Sequence, residues 1–263
     1  MLGYFTMKNY VISLKTATDR RQHIENQFSH HQVEYQFFNA LTPDLAATMA
    51  DKLKLNVNEK FLAKTELACF MSHVALWQKM LDENISYMAI FEDDIYLGDD
   101  ASFYLNSHDW IDPDWNIIKI EAFNERVLIG KPYVQLEKGS RSISKLKSCN
   151  LGTAGYILSR KGAKEYLEYI QSIELIPLDQ LMFNQYVLNK KNNIYQMNPA
   201  LCIQEMILYP EKSKTSLVSD LYNERQQRMK NNKKKGWSKI KLEIYRIYMQ
   251  LFSIIAYKTI KFK

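Results

Sequence analysis

Residues 87–94, Tyr-Met-Ala-Ile-Phe-Glu-Asp-Asp, decide how this chain is interpreted. The apolar run leaves no room for a helix and is typical of a buried β-strand. The strand ends in three carboxylates, Glu92, Asp93 and Asp94. Adjacent acids repel one another, and burying them without a counter-ion raises their pKa values or destabilises the fold. The stretch therefore predicts a core strand that ends at a cation, with a solvated acidic turn as the alternative.

A hard divalent metal that also binds phosphate oxygens would neutralise these acids. Carboxylates at the carboxyl end of a strand lie where open α/β sheets place their ligands. On an extended segment Glu92 and Asp94 point the same way and Asp93 points oppositely. The pair would then face the metal, and Asp93 a ribose hydroxyl or a ligating water. A turn at Asp93 would change this assignment.

The composition indicates one catalytic-size globular domain with a separate tail. The chain has 263 residues, of which 46% are hydrophobic and 24% charged. Its net charge is +6, but residues 224–263 contain twelve Lys or Arg and two Glu, a net of +10, so residues 1–223 carry −4. We therefore expect a mildly acidic catalytic domain over residues 1–223 and a basic tail over residues 224–263.

Cysteine usage and hydropathy bear on the compartment. Cys69, Cys149 and Cys202 are odd in number and widely spaced, which argues against a disulfide framework or a Cys-type zinc site and favours a reducing compartment. The N-terminal residues do not have the pattern of a signal peptide. No window reaches the ~18–20 uncharged apolar residues of a membrane span.

Strands and helices alternate along the chain. Strands are predicted at residues 10–14, 35–40, 87–92, 115–120, 156–159, 194–197 and 200–203. Helices are predicted at residues 20–30 with Thr18 or Asp19 as cap, from Thr65 to about Leu81, at 161–171, and from Pro177. Residues 133–144 predict a hairpin over the sheet edge. This order predicts an α/β fold with a mainly parallel central sheet flanked by helices.

Arginines near the start of the first helix offer a second place for an anion. Arg20 and Arg21 lie where backbone amides and the helix dipole also favour negative charge, so a diphosphate would be held from both sides. The alternative is that either arginine only solvates the helix. The sequence has neither Gly-x-Gly-x-x-Gly nor a P-loop, which argues against a Rossmann dinucleotide enzyme and a P-loop kinase.

Two further residues have alternative roles. His73 follows Ser72 among apolar residues, so it is either a satisfied core histidine or lies near a nucleotide base, and no nearby Cys or Asp spacing predicts zinc. Asp179 is either a general base or the N-cap of the helix that follows Pro177.

Four ordered blocks carry a family resemblance: residues 66–77, residues 90–94, residues 152–159 with Gly162-Ala163, and residues 177–179. The sequence resembles glycosyltransferase family 25, the lipooligosaccharide and lipopolysaccharide glycosyltransferases of Gram-negative bacteria. Residues 11–14 and 19–21 also match, except that Ser13 stands where the family usually has Asn. The resemblance covers roughly residues 8–210.

The resemblance implies a GT-A-type nucleotide-diphospho-sugar transferase fold in which the acidic triplet is a DxD-like motif. It places Asp94 first, then Glu92, as ligands of Mn²⁺ or Mg²⁺. The residues expected at the sugar donor lie in or beside the matching blocks and are Ser13, Leu14, Arg20, Ser72, His73, Asp93, Gly152 and Thr153. Because the triplet reads Glu-Asp-Asp, direct ligation by Glu92 is less clearly implied than ligation by Asp94.

The implied activity is inverting transfer of a hexose, galactose or else glucose, from a UDP-sugar to a growing oligosaccharide. Asp179 is the candidate base that deprotonates the acceptor hydroxyl. One rival is an inactive scaffold protein that assists another transferase, which the retained acids argue against. Another is a metal phosphohydrolase, which the lack of a His-rich ligand set weakens.

The tail, residues 225–263, predicts a basic amphipathic helix. Ile240, Ile244, Ile247, Leu251 and Ile254 are spaced by three and four, with basic residues between them. Such a helix suits an anionic bilayer that carries a lipid-linked acceptor, and the alternative is packing on the domain or on a second subunit. Nucleic acid is not expected, because no base-reading motif is present. We therefore expect a cytoplasmic protein on the inner face of the bacterial inner membrane.

Overall fold

The computed structural model describes residues 6–58, 61–124, 126–136, 138, 141–189, 193–211 and 256–263. The strands are β1 Lys8–Ser13, β2 Gln36–Asn39, β3 Tyr87–Glu92, β4 Ile95–Leu97, β5 Ile117–Lys119, β6 Glu121–Ala122, β7 Arg126–Val127, β8 Ile129–Gln135, β9 Ser142–Leu146, β10 Gly155–Ser159, β11 Ile194–Asn198, β12 Cys202–Gln204 and β13 Lys258–Thr259. The helices are α1 Thr18–His30, α2 Pro43–Lys52, α3 Lys64–Asp82, α4 Ala101–Asn106, α5 Arg160–Gln171, α6 Leu178–Gln180, α7 Tyr186–Leu188 and α8 Glu205–Leu208, with a π-helical segment Leu181–Gln185 between α6 and α7.

The central sheet has eight strands in the order β2-β1-β3-β10-β5-β11-β9-β8. Strand β1 is parallel to β2 and β3, and β11 is parallel to β5. Strand β10 is antiparallel to β3 and β5, and β9 to β11 and β8. All strands except β9 and β10 therefore point the same way, which confirms the expected α/β fold with a mainly parallel sheet.

Helices cover both faces of this sheet. On one face, Trp77 of α3 is fully buried, stacks on Tyr166 of α5 and donates from Nε1 to Tyr156 Oη at 2.9 Å. On the other face, Phe28 of α1 meets Phe91 edge-on at a centroid distance of 5.5 Å. Burying side chains of this size stabilises the fold by about 1.5–3 kcal/mol each. The acidic end of β3 thus belongs to the most firmly packed part of the domain.

The helix starts differ from the predicted caps. Helix α3 begins after Ala63, whose N–H donates to Glu66 Oε2 at 2.9 Å, so Thr65 lies inside the first turn and is not the cap. Helix α1 begins at Thr18 with Ala17 at the N-cap position and no side-chain cap, so neither Thr18 nor Asp19 caps it. These corrections move helix starts by about one or two residues, which is the usual uncertainty of helix ends.

The predicted hairpin exists but lies elsewhere than expected. Strands β8 and β9 pair antiparallel and extend the edge of the central sheet, instead of lying over it, because β9 hydrogen-bonds to β11. A smaller sheet, β4-β12-β6, forms beside the acidic turn. Its pairing of Gln204 with Ile95 brings the end of β12 next to Asp94.

Residues 256–263 pack on the catalytic domain. Strand β13 pairs with β7, and the fully buried Arg141 donates to main-chain oxygens of Asp99, Pro199, Ala200 and Lys263. The helix predicted around residues 240–254 lies outside the described residues. Within the described part of the chain, no helix is long and apolar enough to cross a membrane.

Candidate active site

The acidic residues lie at the end of the central sheet where strands β1, β3 and β5 finish and β10 begins; this end is called the sheet edge. Strand β3 ends at Glu92, and the chain turns through Asp93 and Asp94 before β4. The extended arrangement that would aim Glu92 and Asp94 together is therefore wrong, and the alternative with a turn at Asp93 is correct. The turn directs the three carboxylates to different partners.

Each acid has its own hydrogen-bond donor. Arg20 Nη1 donates to Asp93 Oδ1 at 2.8 Å, and Thr153 Oγ1 donates to Glu92 Oε1 at 2.8 Å. Gln204 Nε2 lies 3.3 Å from both oxygens of Asp94. Asp94 also accepts from its own backbone N–H. One or two donors leave carboxylate lone pairs free, because a carboxylate has about four acceptor sites. The cluster therefore retains oxygen atoms for a further ligand.

Burial and mutual repulsion raise the pKa values of two of these acids. Burial, followed by the charge of Asp94, raises the pKa of Glu92 to about 8, although the Thr153 hydrogen bond opposes the shift. Burial also raises the pKa of Asp94, against the attraction of Arg20. A divalent cation would remove both penalties, and carboxylate oxygens are the ligands that Mg²⁺ and Mn²⁺ prefer. The cluster fits the predicted metal on this observation.

A buried ion pair supports the cluster and was missed in the sequence. Lys119 Nζ donates to Glu121 Oε2 at 2.7 Å and to Gly152 O at 2.6 Å, and both side chains are fully buried. Ala154 N also donates to Glu121 Oε2, at 3.1 Å. Oε1 of Glu121 has no hydrogen-bond partner among the described residues. The signal was a lysine and a glutamate two apart in an apolar strand, and therefore on one face.

Gly152 connects this ion pair to the acids. Its φ of +87° is in the region that favours glycine, and a Cβ there would lie 2.5 Å from Glu121 Oε1. The loop therefore lies so close to Glu121 that no side chain fits at residue 152. Thr153, the next residue, is thereby positioned to donate to Glu92. Gly152 and Thr153 thus hold the acidic cluster, whereas their expected contact with the donor stays a prediction.

The two arginines of α1 have separate roles. Arg20 is half-exposed and points to Asp93. Arg21 donates to the carbonyls of Ser13 and Leu14, both at 3.1 Å, and lies over the Phe37 ring at 4.5 Å. Arg21 therefore fixes the loop after β1, and only Arg20 faces the acids.

The other residues that were expected to contact the sugar donor are divided between the surface and the core. Leu14 is 51% exposed, whereas Ser13 is buried at the end of β1. Ser72 is fully buried, donates to Ala68 O at 2.7 Å and accepts from Leu41 N at 2.9 Å. His73 is also fully buried and lies 2.9 Å from Tyr156 Oη. Ser72 and His73 thus act within the fold, and the structure does not support direct contact of either with the donor.

Asp179 lies in the first turn of α6. Pro177 occupies the N-cap position, so Asp179 is not the cap, although its Oδ1 accepts from Gln180 N at 2.8 Å. Helix α6 contacts α3, which carries Cys69 and also contacts β3. Burial, followed by the charges of Glu92 and Asp179, raises the pKa of the Cys69 thiol, so Asp179 and the acidic cluster both lie near α3. The π-helical segment that follows Asp179 is a feature frequently found at functional sites.

Comparisons with known proteins show the family of the chain. Residues 6–182 match the family described as Glycosyltransferase family 25 (LPS biosynthesis protein). The lipooligosaccharide biosynthesis protein lex-1 of Haemophilus influenzae is 37% identical, over 87% of this chain and 86% of its own length. Two lacto-N-neotetraose biosynthesis glycosyltransferases of Neisseria meningitidis serogroup B are also similar. LgtE is 36% identical over 86% of this chain and 85% of its length, and LgtB is 38% identical over 76% of each.

Proposed function

The chain belongs to glycosyltransferase family 25, and we propose that it transfers a hexose, galactose in preference to glucose, from a UDP-sugar to a growing lipooligosaccharide or lipopolysaccharide acceptor. Its α/β fold with a mainly parallel central sheet supports the GT-A-type fold that the sequence blocks implied. The observation that carries the proposal is the acidic cluster at the sheet edge, with Arg20 on one side and Thr153 on the other.

The acids and Arg20 would bind the donor diphosphate together. The turn at Asp93 rules out alignment of Glu92 and Asp94 along one strand, but the charge of Asp94 still raises the pKa of Glu92, so the two acids remain neighbours. Together they would hold Mn²⁺ or Mg²⁺, which when bound would supply Lewis-acid stabilisation of the UDP leaving group. Arg20 lies in the first turn of α1, so its guanidinium and the helix N-terminus both favour phosphate oxygens. Asp93 holds Arg20 in this position until a ligand arrives. The diphosphate would thus meet the positive charge of Arg20 on one side and the metal held by the carboxylates on the other.

Asp179 is the proposed general base. It is buried in the first turn of α6 and would accept the proton of the acceptor hydroxyl as that oxygen attacks the anomeric carbon. Attack from the face opposite the departing UDP inverts the configuration at that carbon. Asp179→Asn keeps the acceptor oxygen for Gln180 N, so we expect loss of turnover with retained UDP-sugar binding. A lowered melting temperature with normal turnover would assign Asp179 a purely structural role.

The acceptor and the membrane complete the proposal. The relatives' names describe lipooligosaccharide and lacto-N-neotetraose biosynthesis, so a lipid-linked oligosaccharide is the proposed acceptor. Of the predicted tail, residues 225–263, the last eight pack on the domain, so residues 225–255 would bring the enzyme to the anionic membrane surface that presents the acceptor. Binding to anionic vesicles at moderate salt, compared between the full chain and a chain in which a neutral linker replaces residues 225–255, checks this. Equal binding by both would exclude the tail as the membrane contact.

A panel of UDP-sugars tests the function directly. We expect UDP release with one hexose, UDP-galactose before UDP-glucose, in the presence of Mn²⁺ and not with a chelator. Asp94→Ala should abolish release while leaving the circular dichroism spectrum unchanged. Near-wild-type turnover by Asp94→Ala would refute the metal assignment. Donor binding without turnover on any tested acceptor would favour the scaffold alternative.

A further inference from the structure

A second group of metal-ligating side chains lies beside the acidic cluster. Cys69 and His73 are four residues apart on α3 and therefore share one face. That face packs against β3, whose last residue is Glu92. The Cys69 Sγ, a His73 ring nitrogen and a Glu92 carboxylate oxygen all lie within 4.8 Å of one another. We call these three residues the Cys69 cluster.

The imidazole of His73 has one free nitrogen. Its Nδ1 lies 2.9 Å from Tyr156 Oη, which also accepts from Trp77 Nε1 at 2.9 Å. Its Nε2 is buried and has no hydrogen-bond partner in the part of the chain that the structure describes. Leaving such an atom unsatisfied costs about 1–3 kcal/mol. A ligand that accepts the Nε2 lone pair would remove this cost.

We propose that the Cys69 cluster binds a thiolate-preferring divalent cation of the Zn²⁺ class. Thiolate, imidazole and carboxylate are the three ligand types of zinc, and three protein ligands leave a fourth position open to water. Zinc bonds of 2.0–2.3 Å place tetrahedral ligands roughly 3.3–3.6 Å apart, so the three atoms would move together by about 1 Å. Side-chain rotation of Cys69 and Glu92 supplies a movement of this size.

The surroundings suit a bound cation. On binding, His73 Nδ1 carries the ring proton and donates it to Tyr156 Oη, which fixes the orientation of the ring. The carboxylates of Asp179, Glu66 and Asp94 act electrostatically on the Cys69 sulfur, so the local charge favours a cation. Cys69 and Glu92 are partly exposed, whereas His73 is fully buried. An ion can therefore enter from the Cys69 side.

Glu92 belongs to both the Cys69 cluster and the proposed catalytic metal site, so a cation bound at one should affect the other. This step rests on the proposed function. Glu92 is also a proposed ligand of the catalytic Mn²⁺ or Mg²⁺, and its Oε1 accepts a hydrogen bond from Thr153 Oγ1. Zinc bound to Cys69 and His73 would draw Glu92 toward α3 and away from Asp94. The cluster would thus make sugar transfer sensitive to zinc.

Cobalt spectroscopy of the full chain tests the site without using activity. Co²⁺ is the probe, in a non-thiol reductant, because a Co²⁺–thiolate bond produces a charge-transfer absorption in the near ultraviolet. We expect this band to saturate at one Co²⁺ per chain and to disappear with one equivalent of Zn²⁺. Cys69→Ser should abolish the band. Cys149→Ser, a change at a similarly half-buried cysteine outside the cluster, should keep it.

The outcomes separate the zinc site from the transferase. Absence of the band in the wild type, or its persistence in Cys69→Ser, would overturn the site. If Cys69→Ser does not fold, Glu92→Gln retains the thiol and should raise the Co²⁺ concentration at half-saturation at least tenfold; an unchanged value would also overturn it. With transfer established, Zn²⁺ should inhibit Cys149→Ser and spare Cys69→Ser. A cobalt band in a chain without transferase activity would refute the proposed function alone.

Discussion

Two ion pairs border the acidic cluster, and they differ in exposure to solvent. The Arg20 and Asp93 side chains are 50% and 10% exposed, whereas those of Lys119 and Glu121 are both fully buried. An exposed pair is worth little to stability and opens readily to a competing anion. A buried pair is costly to break, because the remaining charge is left without a partner and without water to solvate it. Arg20 is therefore suited to bind a ligand, and Lys119 to hold the loop that carries Thr153.

The largest expected effect comes from breaking the buried pair. Lys119→Met leaves Glu121 charged and buried without its partner, so we expect the free energy of unfolding to fall by about 3–5 kcal/mol. Urea denaturation followed by circular dichroism measures this. The double variant Lys119→Met/Glu121→Gln removes both charges and keeps the acceptor for Ala154 N, so it should recover most of the loss. A loss below about 1 kcal/mol in the single variant would contradict the role given to the buried pair.

The next largest expected effect is a dependence of metal-free stability on pH, which arises from Glu92. The pKa of Glu92 is raised from its ordinary value of 4.5 to about 8, chiefly by burial and then by the charge of Asp94. The folded chain therefore binds a proton that the unfolded chain releases, and metal-free stability should fall as pH rises from about 4.5 to 8, by at most about 1.4 kcal/mol per pH unit.

Thermal unfolding of the metal-free protein between pH 5 and 9 measures this slope. Glu92→Gln cannot ionise and should flatten it. Because a divalent cation displaces the same proton, Mn²⁺ affinity should rise by up to about tenfold per pH unit until about pH 8. Metal-free stability that rises across this window in the wild type would contradict the assignment to Glu92.

The smallest effect on stability is expected at the exposed pair. Arg20→Met should change the free energy of unfolding by less than about 1 kcal/mol. It should nevertheless raise the KM for the UDP-sugar by about tenfold, because a charge-assisted contact to phosphate is lost. Arg21→Met is the matched control, since Arg21 binds the carbonyls after β1 and not the acids. An equal change in KM for both variants would remove the distinction between them.

The sequence predicted the parts of the site that depend on local pattern. The apolar run before Glu92 required a buried strand, and helical periodicity placed α3 against it. The ordered blocks predicted the family. Residues 44–64 are polar with only patches of helical pattern and gave no clear prediction, yet Pro43–Lys52 form α2, which Thr42 caps through its hydroxyl with Leu45 N at 3.5 Å. Caps and turns of this kind depend on one or two contacts, which periodicity does not detect.

Long-range pairing could not be read from local pattern. Lys119 was included in a predicted apolar strand and Glu121 lies only two residues further on, but the contact of Lys119 with Gly152 depends on the position of β10 between β3 and β5. No Cys spacing near His73 predicted zinc from the sequence, although Cys69 lies four residues before His73 and the structure brings both to Glu92. Their proximity to Glu92 depends on how α3 packs on the sheet.

Equilibrium dialysis of UDP tests the central claim, that the acids at the end of β3 hold a metal that binds the donor diphosphate. Wild type and Asp94→Asn are each measured with Mn²⁺ and with a chelator. We predict that Mn²⁺ raises the UDP affinity of the wild type at least tenfold and that Asp94→Asn loses this gain while keeping its melting temperature. The same UDP affinity under all four conditions would contradict the claim.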